Sequence, residues 1–333
     1  MKAFSISRYK KDSDLQLVDV PEPVLKENEV LVEIHAASVN LLDSKLKNGE
    51  FKLIVPYKLP LILGHDVAGV IIKVGSKVKS FNVGDEIYAR PADFHIGTFA
   101  EFISIDKKDV ALKPKNLTME EAASIPLVGL TAWQALVEKA NIQKGQKVFI
   151  QAGSGGVGTF AIQLAKHLGA TVATTASEKS FEFLKDLGAD VLIDYKKQNF
   201  EDLLSGYDLV LNSQDPKTLE KSFDVVKPNG KIISISGPPT PVFAKEFNLP
   251  WYVKFAIKLL SSKIRKIAEK KNVNYSFLFM KGNGRQLADI TKLIEAGKIK
   301  PVIDQVFPFE NTNEAVKYVE SGRAKGKVVI KMK

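Results

Sequence analysis

Cysteine is missing from all 333 residues. Its absence excludes disulfides, thiolate nucleophiles and every zinc site built on thiolate. Histidine is scarce, with four copies, so a metal site would have to be assembled from carboxylates and a small stock of imidazoles. Long apolar runs are missing too: no stretch approaches the roughly 20 residues a helix needs to cross a bilayer. The opening residues, Met1 to Ile6, alternate like a strand and carry neither the h-region nor the small-residue cleavage site of a secretory signal. A cytoplasmic location is the resulting expectation. Negative charge is the minority sign, 38 Asp and Glu against 48 Lys and Arg, for a net +10. That surplus is spread along the chain with no nucleic-acid module beside it, so it reads as a solvated basic surface and not as a nucleic-acid footprint.

What is present is a globular composition, 45% hydrophobic and 26% charged, in a chain too long for one core. Two domains follow. Up to about residue 123 the chain reads as short strands and turns, with β-branched runs at 30–35 and 67–74 separated by turn signals such as Gly64, Gly75 and Val83-Gly84-Asp85. From 124 strand and helix alternate: strands at 147–150, 171–175, 191–193, 209–211 and 231–235, with helices at 159–168 and 178–187 closed by Gly169 and Gly188. Ser177 is placed to cap the second helix. This rhythm implies an α/β fold, a doubly wound parallel sheet beside a β-rich domain. A helix near 290–295 and strands at 302–303 and 327–330 complete the chain without a linker. Residues 1–123 and 281–333 are therefore expected to form one domain around an inserted 124–280. Between 250 and 272 apolar residues recur at helical spacing among many lysines. Such a basic helix either packs on its parent domain or lies on a membrane surface, and packing is the simpler reading.

The strongest motif is Gly153-Ser154-Gly155-Gly156-Val157-Gly158. It follows a strand, opens a helix and begins a βαβ series, the setting in which a Gly-x-Gly-x-x-Gly loop binds a dinucleotide. Glycine at 153 allows the tight turn, at 155 lets backbone approach a pyrophosphate, and at 158 lets the helix pack on the sheet. The anion would meet the N–H groups of Ser154, Gly155, Gly156, Val157 and Gly158 at a helix N-terminus. The next strand ends without the carboxylate that would hold an NAD ribose; Ser177, Lys179 and Ser180 follow it instead. Hydroxyls and a lysine suit a 2′-phosphate, so NADPH is the expected cofactor, although Glu178 sits among them.

Further residues resemble the medium-chain dehydrogenase/reductase superfamily: Asn40-Leu41-Leu42-Asp43, Leu63-Gly64-His65-Asp66, Val83-Gly84-Asp85, Gly129-Leu130-Thr131-Ala132, the glycine loop and Ser321-Gly322-Arg323-Ala324-Lys325-Gly326-Lys327, in that family's order. The resemblance covers essentially the whole chain and implies a GroES-like catalytic domain with a Rossmann domain. The zinc ligands of the family's alcohol dehydrogenases fall here near Asn40, His65 and Leu127. Only His65 among these binds metal, and catalytic zinc needs three protein ligands, so no metal is expected. His65 then reads as a turn residue and Asp43 as a partner for backbone N–H groups. The chain thus resembles the zinc-free quinone oxidoreductases, and Lys45 and Asp194-Tyr195 resemble the enone and alkenal reductase branch. In that branch the lysine contacts substrate and the tyrosine lies beside the NADP adenosine. Asn212-Ser213-Gln214-Asp215 departs from the family's usual Asp-x-Val-Gly-Gly. Arg323 and Lys327 are candidate cofactor contacts.

The expected reaction is hydride transfer from NADPH to an α,β-unsaturated ketone or aldehyde, or to a quinone. Asn40 and Lys45 are the candidate donors to the resulting oxyanion. Tyr57, Phe94, Trp251, Tyr252 and Phe279 are candidate pocket walls. The alternatives are a quinone reductase with little enone activity and a non-catalytic NADPH-binding protein. A homodimer is expected, through strands near 232–235 and 274–278.

Overall fold

The computed structural model describes residues 1–11 and 13–333, which divide into two units: Met1–Leu130 with Lys281–Lys333, and Thr131–Met280. The first changeover falls within the helix Pro126–Trp133, later than the expected 123–124.

In the first unit a seven-stranded sheet runs Ile303–Pro308, Lys327–Lys331, Glu29–Val39, Asp66–Val74, Glu86–Ala89, Val110–Leu112, and Phe102–Asp106 also pairs with Glu29–Val39. Alternating β-branched residues explain the long strand at its centre: Val30, Val32 and Ile34 point into a core with Val67, Ile71, Ile87 and Ile103. The C-terminal strand pairs antiparallel with that central strand, setting Val328 opposite Val39. Sequence ends far apart thereby meet where the central strand stops and the helix Leu41–Lys47 begins. A smaller sheet, Gln16–Asp19, Lys2–Ile6 and Leu61–Ile62, completes the unit.

The second unit is a six-stranded parallel sheet in the order Val191–Asp194, Thr171–Ala176, Lys147–Ile150, Tyr207–Asn212, Val226–Ser234, Asn274–Phe277. Lys147–Ile150 lies between strands whose connections run in opposite senses, so its carboxyl end is the switch point where such sheets bind ligands. Phe149, Ala173, Val210 and Ile232 fill the core on one face with Phe200, Leu219 and Phe223.

Several local expectations need correction. The basic segment is two helices, Trp251–Leu260 and Ser262–Lys271. They break at buried Ser261, whose Oγ donates back to the Ile257 carbonyl at 2.8 Å and disturbs the helical ladder. Ser177 occupies the cap position, yet its side chain makes no capping hydrogen bond, and the first turn, Glu178–Ser180, is 3-10 before Phe181–Asp186 becomes α-helical. The strand holding Ile232 is paired on both sides, which leaves Asn274–Phe277 as the sheet edge.

Candidate active site

Asp66, at the start of its strand and fully buried, gathers a polar node inside the first unit. One carboxylate oxygen accepts from Ser38 Oγ at 2.8 Å, Asn40 Nδ2 at 2.8 Å and Lys327 Nζ at 3.3 Å. Its other oxygen accepts from the Leu127 backbone N–H at 2.7 Å. The Lys327 ammonium also donates to the Val39 carbonyl at 3.1 Å and to Asn40 Oδ1 at 2.5 Å. Burial pushes the Lys327 ammonium below the usual lysine range, and the Asp66 and Asp43 charges oppose that shift. Beside the node, Asp43 accepts from the backbone N–H groups of Asn40 (2.8 Å) and Gly64 (3.2 Å) and contacts His65 Nδ1 at 2.6 Å. Asp43 thus ties the start of helix Leu41–Lys47 to the turn at Gly64.

The zinc ligands of the alcohol dehydrogenases that this chain resembles fall at Asn40, His65 and Leu127, and the residues present do not fit a metal. The Asn40 carboxamide is engaged at both ends and Leu127 offers no ligand atom on its side chain, so His65 is left alone where a catalytic zinc needs three protein ligands. Among the described residues no group of three or more His, Asp or Glu is placed to hold an ion. Asn40, expected as an oxyanion donor, is drawn into the same node. Its amide N–H groups point to Asp66 and, at 3.4 Å, to the Ser38 carbonyl, so neither faces outward.

Lys45 is differently placed. It lies one turn into helix Leu41–Lys47, half-buried, and its ammonium has no ion-pair or hydrogen-bond partner among the described residues. Lys47, on the same helix, is buried and paired with Glu320 at 2.8 Å. In the same unit Tyr57 stacks on Phe94 with ring centres 5.3 Å apart, and its hydroxyl accepts from the Phe94 N–H at 3.3 Å. Phe94 is exposed and adopts a left-handed backbone, φ 67°, an uncommon state for a residue with a side chain. Phe279 instead packs with Phe243 and Phe247 in the second unit, where Trp251 and Tyr252 are exposed.

The glycine loop sits at the switch point of the second unit. A Cβ on Gly153 would lie 2.2 Å from Thr174 Oγ1, and one on Gly158 would lie 2.4 Å from the Ala152 carbonyl, so both are needed for close packing. On Gly155 the same atom would meet only the Ala152 carbonyl, at 3.4 Å. That open side is what a pyrophosphate approaching the backbone requires. The helix Gly156–His167 begins here, so the N–H groups of Gly156, Val157 and Gly158 lack intrahelical partners and favour an anion; Ser154 lies in the turn before it.

Thr175 braces the loop: its hydroxyl accepts from the Ala152 N–H at 3.1 Å and its carbonyl from the Gly153 N–H at 3.0 Å. Beyond it Ser177 is half-buried and Lys179 exposed, while Ser180 is buried with its Oγ unpartnered. A buried hydroxyl with no partner among the described residues, on the turn that follows the strand, fits a phosphate-bearing ribose. Glu178 is paired with Lys197 at 2.5 Å, which balances the carboxylate beside this site. Tyr195 is exposed at the tip of the neighbouring strand. Arg323 is exposed in the first unit, on the turn after helix Thr312–Glu320, whereas Lys327 is spent in the Asp66 node rather than on a cofactor.

The departure at Asn212-Ser213-Gln214-Asp215 has a structural account. Buried Asn212 donates to Gln151 Oε1 at 2.6 Å and accepts from Ser234 Oγ at 2.5 Å, joining three strand ends. Asp215 caps the helix Pro216–Ser222 through the N–H groups of Lys217 and Thr218. Sequence reasoning missed this network and the Asp66 node. The one visible signal was a lysine opening an otherwise apolar strand, Lys327-Val328-Val329-Ile330.

Residues 26–115 match the alcohol dehydrogenase GroES-like domain and residues 187–330 a zinc-binding dehydrogenase domain. The 2-methylene-furan-3-one reductase of Solanum lycopersicum is 40% identical over 99% of this chain and 79% of its own length. The chloroplastic NADPH-dependent alkenal/one oxidoreductase of Arabidopsis thaliana is 36% identical, with the same coverage. Among solved structures, the quinone oxidoreductase of Coxiella burnetii superposes with a TM-score of 0.87 at 31% identity, covering 100% of this chain and 99% of that one. With the Rossmann sheet, the glycine loop and these relatives in agreement, the chain belongs to the medium-chain dehydrogenase/reductase superfamily, in its quinone oxidoreductase type.

Proposed function

We propose that the protein is an NADPH-dependent reductase that transfers hydride to an α,β-unsaturated carbonyl or a quinone, without zinc. The observation that carries this reading is half-buried Lys45, its ammonium unpaired among the described residues, in a chain related to alkenal and furanone reductases. NADPH would be held by the backbone from Ser154 to Gly158, with Ser177, Lys179 and Ser180 at the 2′-phosphate and Tyr195 and Arg323 as further contacts. When bound, the nicotinamide supplies the hydride. Lys45 would donate a hydrogen bond to the substrate oxygen and stabilise the negative charge that develops there, the task zinc performs elsewhere in the superfamily. Asn40, Asp43 and Asp66 position the helix that carries Lys45. The proton that completes the product would come from Lys45 or from water.

Loss of NADPH absorbance against an acyclic enone, an alkenal and two quinones, each repeated with NADH, tests the reading. Enone turnover with NADPH, little with NADH, and about a tenfold or greater fall in kcat/KM for Lys45→Ala are the expected results. An unchanged rate in Lys45→Ala on every active substrate would remove Lys45 from the mechanism. Turnover of quinones alone would make the protein a quinone reductase. The position of Asn274–Phe277 as the outermost strand of its sheet supports a homodimer built by edge pairing, which sedimentation velocity checks.

A further inference from the structure

Helix Trp251–Leu260 turns an apolar face away from the protein. Val253 and Ile257 are buried, while Trp251 is 79% exposed, Leu260 70%, and Tyr252, Phe255 and Leu259 are open to solvent between them. At 3.6 residues per turn these five positions share one continuous side of the helix. A contiguous patch of this kind, unlike single exposed apolar residues, marks an interaction surface.

Its border carries one sign of charge. Lys254 and Lys258 flank the apolar side, and with Lys245 of helix Pro241–Glu246 they edge a groove lined by Pro241, Trp251 and Phe255. None of these three ammoniums has an ion-pair partner among the described residues, whereas Lys263 and Lys271 of the next helix are tied to Glu220 and Asp224. Between 241 and 272 the only carboxylates are Glu246 and Glu269.

We propose that this face docks on an anionic lipid surface, with Trp251 and Phe255 at the headgroup–acyl boundary and Lys245, Lys254 and Lys258 on lipid phosphates. Aromatic rings favour that boundary, and lysines bury their stems while keeping the ammonium in the headgroup layer. No described helix is long and apolar enough to cross a membrane, so the contact is with one leaflet. Charge argues against a second copy on the same face: two such surfaces together would set lysine against lysine, while an anionic surface pairs all three.

The test is co-sedimentation of the full chain with vesicles of phosphatidylcholine alone or mixed with phosphatidylglycerol, at low and high salt. Trp251, one of two tryptophans, supplies a second readout. Expected are sedimentation with the anionic vesicles only, a blue shift of tryptophan emission, and loss of both at high salt. Charge reversal in Lys254→Glu/Lys258→Glu should weaken binding by about tenfold or more, with NADPH binding kept as evidence of folding. Equal sedimentation with both vesicle types, or with neither, overturns the proposal. It is also overturned if Phe255→Asp converts a dimer to a monomer while anionic vesicles fail to compete with dimerisation, because the face then belongs to a second copy.

Discussion

A lysine ammonium deep inside a protein is stable only when carboxylate and carbonyl oxygens surround it, and Lys327 has such a setting. Asp66, Asn40 and the Val39 carbonyl take its three protons. Lys327→Met would strand the Asp66 charge in a buried site, so a loss of about 3–5 kcal/mol is expected in urea unfolding. Three tyrosines give a second residue-level prediction. Burial pushes the Tyr57 hydroxyl up to about 12, helped by the Asp93 charge, and burial likewise raises Tyr88 and Tyr275. Their folded values lie above the ordinary tyrosine value of 10, so their contribution is complete below pH 10 and is lost as pH climbs through the folded values. Tyrosinate absorbance should therefore show a late-titrating group, and stability should fall from pH 10 upward. Normal titration of every tyrosine would contradict their burial.

At the scale of elements, the loop and helix at 153–167 separate packing from binding. Gly158→Ala drives a Cβ into the Ala152 carbonyl, which backbone movement alone can relieve. Gly155→Ala meets one atom, at an ordinary contact distance. Gly158→Ala should cost about 1–3 kcal/mol of stability and weaken NADPH binding. Gly155→Ala should leave the melting temperature nearly unchanged while raising the Kd for NADPH, because the added methyl occupies the pyrophosphate's approach. Calorimetry with a cofactor titration distinguishes the two. This loop was legible in the sequence because its glycines, strand and helix are adjacent in the chain. Ser177 was legible as to place but not as to bond: the first turn formed as 3-10, and the serine side chain does not cap it. The break at Ser261 was hidden for a related reason, since apolar periodicity continues across a residue whose hydroxyl turns back on its own helix.

Each of the two units carries its own core, one around Val30, Val67 and Ile87 and the other around Phe149, Val210 and Ile232. Thermal unfolding should accordingly show two steps. NADPH at about 100 times its Kd should stabilise the Thr131–Met280 unit by about 2.7 kcal/mol, moving its step more than the other in differential scanning calorimetry. Equal displacement of both steps would show the units unfolding together. The alternation of strand and helix, the loop that ends its first strand and the lack of cysteine are properties of neighbouring residues or of composition. The sequence alone therefore determined the fold class, the dinucleotide motif and the exclusion of thiolate zinc. Contacts between distant segments were decided only by tertiary structure. Pairing Val328 with Val39 carries Lys327 to Asn40 and Asp66, which closes the node and commits the Asn40 carboxamide inward, while Lys45 stays unpaired among the described residues. Nothing local to any of those residues encodes that meeting, because antiparallel register is set by the packing of whole strands.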